Sequence, residues 1–84
     1  MDRSIRSRIM VCYGLCAIAH SEVHSRQLER ATGTLEAIRK NLQEINLLTS
    51  PETTNALPEL REMLGELDRF AWDLNREICR GVVC

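Results

Sequence analysis

The sequence has few aromatic residues and no long apolar run. Tyr13, Phe70 and Trp72 are the only aromatic side chains among 84 residues. A core with so few rings must be built from Leu, Ile, Val and Ala, which favours helices over sheets. The apolar run "IMVCYGLC" is far shorter than the roughly 20 residues that span a bilayer. The composition therefore predicts one all-α domain over residues 1–84 and no membrane span.

The sequence also lacks a strong excess of charge. Its net charge of −1 excludes a general attraction to nucleic acid or to anionic membranes. The charge is nevertheless uneven, because residues 1–30 are basic and residues 51–84 are acidic. These two parts can attract each other within one chain or between chains.

Two apolar seams with alternating spacings of three and four residues predict two helices, at about 24–48 and 56–80. Between them, "TSPETTNALP" contains two prolines and is typical of a connection. Gly81 follows the second seam and is typical of a helix stop. An antiparallel helical hairpin with coiled-coil spacing is the expected result. The first seam comprises Leu28, Ala31, Leu35, Ile38, Leu42 and Ile45, and the second comprises Leu57, Leu60, Leu64, Leu67, Ala71, Leu74 and Ile78.

A further apolar helix is predicted at about 4–20, with other apolar residues on nearly every side of its stripe. Either the chain bends near "HSEVHS" to form a three-helix bundle, or a continuous helix is covered by a second chain. We expect the homodimer, because the second hairpin helix is too short to cover a continuous first helix. The stripe that we predict as the dimer contact comprises Ile5, Ile9, Cys12, Cys16 and Ala19.

The stretch "CYGLCAIAHSEVH" places Cys12, Cys16, His20 and His24 at a strict four-residue spacing. Thiolate and imidazole groups at this spacing can ligate Zn²⁺ or Cu⁺, and disulfides to the C-terminal cysteines are a second option. Both cysteines also lie on the apolar stripe, which favours reduced core residues in a cytoplasmic protein. We therefore expect no bound metal and no cofactor.

No constellation typical of an enzyme is present, and we expect a small non-enzymatic interaction protein. Such a chain binds and blocks, escorts or regulates another protein, as phage or plasmid inhibitors and chaperone-like adaptors do. The predicted partner surface is Arg69, Phe70, Trp72 and Arg76, because Trp and Arg are enriched in binding hot spots, together with the exposed part of the N-terminal helix. One alternative is a nucleic-acid binder that uses Arg3, Arg6 and Arg8. A thiol-based metal-binding protein is the other.

Overall fold

The computed structural model describes residues 3–83, and within that range every side chain except those of residues 51, 53, 55, 82 and 83. Four helices follow one another: α1 Arg3–His24, α2 Leu28–Leu48, α3 Pro51–Ala56 and α4 Pro58–Val83. Helices α1, α2 and α4 all pack against one another, and α3 packs on α4. The all-α prediction is confirmed, and the bundle measures 43 × 18 × 17 Å along its principal axes.

The bend near "HSEVHS" is real, and it separates α1 from α2. The amide of Gln27 donates to the carbonyl of Glu22 at 2.7 Å, and that of Arg26 donates to Val23 at 3.0 Å. These two bonds form a Schellman motif, which ends a helix by placing one residue in the left-handed conformation. Arg26 takes that position with a φ of 62°. The continuous first helix that we considered is therefore wrong, and the three long helices form a bundle within one chain.

The three apolar stripes identified in the sequence meet in one core. Each packs where the spacing predicts, because every third or fourth residue returns to the same side of a helix. Leu57 and Leu64 depart from the second seam, since each is only partly buried and packs at the edge of the core. The buried positions are Ile5, Ile9, Cys12, Cys16, Ala19, Ala31, Leu35, Ile38, Leu42, Ile45, Leu60, Leu67, Ala71, Leu74 and Ile78.

Two details of the second half differ from expectation. The connection contains a short helix, α3, because Pro51 can occupy its first turn without losing a needed hydrogen bond. Helix α4 begins at Pro58, two residues after the predicted start at about 56, and continues past Gly81 to Val83. Gly81 therefore does not stop the helix. Its lack of a side chain instead lets α4 approach Leu28, at the start of α2.

Polar contacts fasten α1 to both neighbouring helices. Arg8 forms an ion pair with Glu44 of α2, and the hydroxyl of Thr34 on α2 donates to Glu22 at 2.5 Å. The hydroxyl of Tyr13 donates to Glu66 of α4 at 3.2 Å. These contacts lie at the edges of the apolar stripe, so they fix the register of α1 without placing a charge in the core.

Candidate functional site

The five residues that we predicted as dimer contacts lie inside a single chain. Ile5, Ile9, Cys12, Cys16 and Ala19 are all buried where α1 packs on the rest of the bundle. The physical reason is the bend, which lets α2 and α4 cover this stripe and leaves no need for a second chain there. Their burial removes the reason for assigning them to a dimer surface, and the dimer itself stays a prediction.

The opposite face of α1 is exposed and carries no charge over four turns. Met10 is 68% exposed and Ile18 is 52% exposed, which is unusual for large apolar side chains clustered on one helix. A Cβ added to Gly14 would meet no atom within 4 Å, so the middle of this face is open. We call these residues the outer α1 face: Ser7, Met10, Val11, Gly14, Ala17, Ile18 and Ser21.

The predicted partner surface divides into two parts. Phe70 is half-buried and lines a cleft beside α1, whereas Trp72 is 67% exposed and lines a groove beside α2. Two residues along a helix correspond to about 200° of rotation, so these rings leave α4 on different sides. Arg69 and Arg76 are exposed three and four residues from Trp72, which places them on the same side of α4 as Trp72.

The groove beside Trp72 has a volume of about 250 Å³ between α2 and α4. Its walls combine apolar and charged groups, including Arg39 of α2 and Asp68 of α4. Leu42 and Ala71, both buried, form part of its floor. Because the groove lies between two packed helices, its shape is set by the core rather than by a loop.

A larger cleft of about 760 Å³ opens where the α1–α2 turn faces the C-terminal part of α4. The imidazole rings of His20 and His24 stack with centroids 6.4 Å apart at one wall. Asp73 and Glu77 of α4 also line the cleft. In the part of the chain that the structure describes, no three His, Cys, Asp or Glu side chains approach closely enough to hold a metal ion. The cleft is large enough for one or two side chains of a bound molecule.

Cys12, Cys16 and Cys79 are free thiols, and Cys84 lies outside the described residues. Burial raises the pKa of the Cys12 thiol. Burial, with a smaller effect from Cys12, raises the pKa of Cys16 to about 11. Both groups are therefore protonated thiols at neutral pH, which makes them poor nucleophiles and poor metal ligands.

The three arginines of the nucleic-acid alternative do not share one environment. Arg3 and Arg6 are exposed, whereas Arg8 is half-buried and pairs with Glu44. Because the carboxylate of Glu44 neutralises its charge, Arg8 contributes little positive potential for phosphate binding. None of the described helices is long and apolar enough to cross a bilayer.

Comparisons of the chain with protein-family models, with curated proteins and with solved structures gave no match.

The outer α1 face lies within the exposed part of the N-terminal helix that the sequence predicts as a contact surface, but the sequence analysis does not specify its residues. Its signal is a second heptad pattern, 7, 10, 11, 14, 17, 18 and 21, which runs along α1 opposite the stripe that contains Cys12 and Cys16. Because the buried stripe and the outer α1 face lie on opposite sides of the same helix, their sequence together reads as a helix that is apolar on all sides. The separation of Phe70 from Trp72 also follows from their spacing along α4.

Proposed function

We propose that this chain is a small non-enzymatic helical interaction protein that binds and thereby blocks, escorts or regulates a partner protein. The observation that carries the proposal is the 67% exposure of Trp72 in a groove between two helices. Tryptophan is usually well covered in a folded domain, and exposed tryptophans in concave sites are frequent anchors for partners.

The charges around Trp72 indicate what kind of segment would bind. Arg39 lines the groove, and Arg69 and Arg76 lie on the same side of α4 as the ring, with Asp68 as the acidic group nearby. A guanidinium group binds a carboxylate through two parallel hydrogen bonds. The surface therefore fits a partner segment in which an apolar side chain that packs on Trp72 is flanked by Asp or Glu.

The position of Trp72 on a packed helix supports the groove as a binding site. Ala71, next to Trp72, is buried, so the backbone that carries the ring is held by the core. A rigid position lowers the entropy lost when a partner binds, which favours affinity from a small contact area. Phe70, on a different side of α4, belongs to the larger cleft and is not part of this proposed contact.

The free, buried thiols support a reducing, cytoplasmic location for this activity. Cys12 and Cys16 are packed as apolar core residues, and neither forms a disulfide. Proteins of oxidising compartments more often use their cysteines in bridges.

Affinity capture followed by measurement with the purified partner tests the proposal. The wild-type chain and the Trp72→Ala variant are used as bait, with Leu47→Ala as the matched control, because Leu47 is also exposed but lies at the end of α2. We expect Trp72→Ala to weaken binding by about 30-fold or more, as for a hot-spot residue, and Leu47→Ala to leave it unchanged. Equal binding by all three proteins would reject the groove as the site.

A further inference from the structure

We propose that the larger cleft, between the α1–α2 turn and the C-terminal part of α4, binds a short zwitterionic peptide of two or three residues with apolar side chains. Arg26 and Arg80 bind the terminal carboxylate of this peptide. Asp73 and Glu77 bind its terminal ammonium group. The site is independent of the partner groove, which lies beside Trp72 between α2 and α4.

Arg26 occupies a position in the α1–α2 turn where an arginine is costly. Its φ of 62° lies in the left-handed region, which glycine adopts without strain and a residue with a Cβ does not. Its side chain is exposed and forms no hydrogen bond or ion pair with another described residue, so no such contact offsets the cost. The residue lines the cleft, and strained residues cluster at binding sites. A contact between the guanidinium group and a ligand accounts for an arginine here.

The end of the cleft near the turn is positively charged. Leu28, two residues after Arg26, lies against Gly81, which follows Arg80 on α4. The two arginines therefore share one end of the cleft, and neither side chain pairs with an acid among the described residues. Like charges repel each other, and a carboxylate bound between them removes the repulsion and accepts paired hydrogen bonds from each guanidinium group.

Earlier along α4, the same cleft is acidic. Asp73 and Glu77 are four residues apart, so both carboxylates lie on one side of the helix, and both line the cleft. The opposite wall carries the stacked rings of His20 and His24, and no arginine or lysine of α1 lines it. An ammonium group at this level gains two carboxylate partners, and the imidazole rings can form hydrogen bonds with a peptide group.

The distance between the two charged regions fits a short peptide. The acidic pair is centred about five residues before Arg80, which is about 7.5 Å along the helix axis. An extended chain spans at most about 3.3–3.6 Å per residue, so two residues span about 7 Å and three about 10 Å. A peptide of this length therefore reaches from the carboxylates to the guanidinium groups.

The floor of the cleft is apolar, which fits the side chains of such a peptide. Leu74 is buried, and three further apolar side chains of the floor are half-buried: Val23, Leu28 and Phe70. The volume of about 760 Å³ lies in the usual range for small-ligand sites, roughly 300–1,000 Å³. The cleft thus has room for a peptide backbone and for an apolar side chain on its floor.

Titration of the isotope-labelled chain with leucyl-leucine, followed through backbone amide NMR shifts, tests the proposal. We expect saturable shifts at Arg26 and Gly81 with a Kd of about 1 mM or below, and no shift of the Trp72 indole N–H, which reports on the partner groove. Acetylation of the amino end or amidation of the carboxyl end should each weaken binding by about tenfold or more. Equal binding of the free and the doubly blocked dipeptide would overturn the proposal, as would the absence of saturable shifts.

Charge variants assign each end of the peptide. Arg26→Gly should keep the fold, because glycine suits the left-handed position. It should weaken the binding of leucyl-leucine by about tenfold and leave that of leucyl-leucine amide unchanged, since the amide has no carboxylate. Asp73→Asn should weaken the binding of leucyl-leucine and leave that of its N-acetyl form unchanged.

Arg61→Gln and Glu62→Gln are the matched controls, because they remove the same charges from exposed positions of α4 outside the cleft. We expect both controls to bind leucyl-leucine like the wild-type chain. Binding that is insensitive to both Arg26→Gly and Asp73→Asn would overturn the proposal. Tighter binding of glycerophosphoethanolamine than of leucyl-leucine would also overturn it, and would assign the charged groups to a zwitterionic lipid headgroup instead.

Discussion

Gly81 of α4 lies so close to Leu28 of α2 that a Cβ at position 81 would stand 2.6 Å from Leu28 Cδ1. The contact joins the C-terminal part of α4 to the first turn of α2 at the rim of the larger cleft. It explains why a glycine occurs inside a helix, where it costs roughly 1 kcal/mol relative to Ala.

We expect Gly81→Ala to stabilise the chain less than Gly33→Ala does. Alanine at position 33 meets no neighbour within 4 Å, so its gain in helix propensity, about 0.5–1 kcal/mol, is fully expressed. Alanine at position 81 must displace a methyl group of Leu28, which offsets that gain. Urea unfolding of the two variants measures the difference. An equal gain at both positions would show that Leu28 moves aside at no cost.

Alanine substitutions should lower the free energy of unfolding more at the centre of the second seam than at its edge. Leu67 is 1% exposed, whereas Leu64 is only partly buried. Leu67→Ala should therefore lower the free energy of unfolding by about 2–5 kcal/mol, the usual range for a buried leucine. Leu64→Ala should cost clearly less, in contrast to what the seam alone predicts. Equal losses in urea unfolding would contradict the burial difference.

Replacing Arg26 with glycine should increase the stability of the folded chain. Its φ of 62° brings Cβ close to the backbone, which costs an L-residue other than Gly roughly 1–2 kcal/mol. Arg26→Gly relieves that cost in the folded state but also makes the unfolded chain more flexible, so we expect a net gain of about 0.5–1 kcal/mol. Arg30→Gly, inside α2, is the control and should be destabilising. A loss of stability for Arg26→Gly, measured by urea unfolding, would show that the arginine side chain contributes more than its strained backbone costs.

Periodicity in the sequence predicts the three stripes of the core and the all-α fold, because apolar spacing is a local property of each helix. It does not decide what covers a stripe. The bend at Arg26 depends on a left-handed residue that is usually Gly or Asn, and an arginine gives no such signal. Since that bend supplies the cover for Ile9 and Cys12 within one chain, the stripe predicted from the sequence as a dimer contact is the buried inner face of α1. In the sequence Gly81 resembles a helix stop. The contact with Leu28 that accounts for the glycine involves another helix, so the local sequence gives no sign of it.

Thiol reactivity should distinguish the surface cysteine from the core cysteines. Cys79 is exposed, whereas Cys12 and Cys16 are buried and have raised pKa values. In the Cys84→Ser background, we expect Ellman's reagent at pH 8 to modify one thiol rapidly and two more only as the chain unfolds. Cys79→Ser should remove the fast phase and leave the slow one. Fast modification of all thiols in the folded protein would show that α1 opens readily from the bundle.

The same raised pKa values predict that the fold weakens at alkaline pH. The ordinary pKa of a cysteine thiol is 9.0, and burial raises that of Cys16 to about 11. Between these two values the unfolded chain releases the proton while the folded chain retains it, so stability falls as pH rises through this window. Below pH 9 both states hold the proton, and stability does not depend on this group.

The comparison of the wild-type chain with the Cys12→Ala/Cys16→Ala variant isolates this effect. Tyr13 is present in both proteins, and burial and the hydrogen bond to Glu66, the main causes of its raised pKa, are the same in both; only the smallest cause, the charge of Cys16, is lost in the variant. The double variant should be less stable at neutral pH, because removing two buried sulfurs leaves small cavities. Its free energy of unfolding should, however, fall less steeply above about pH 9, since the thiols no longer titrate. Urea unfolding at intervals of pH measures both slopes, and parallel curves would show that the core thiols ionise without disturbing the packing of α1.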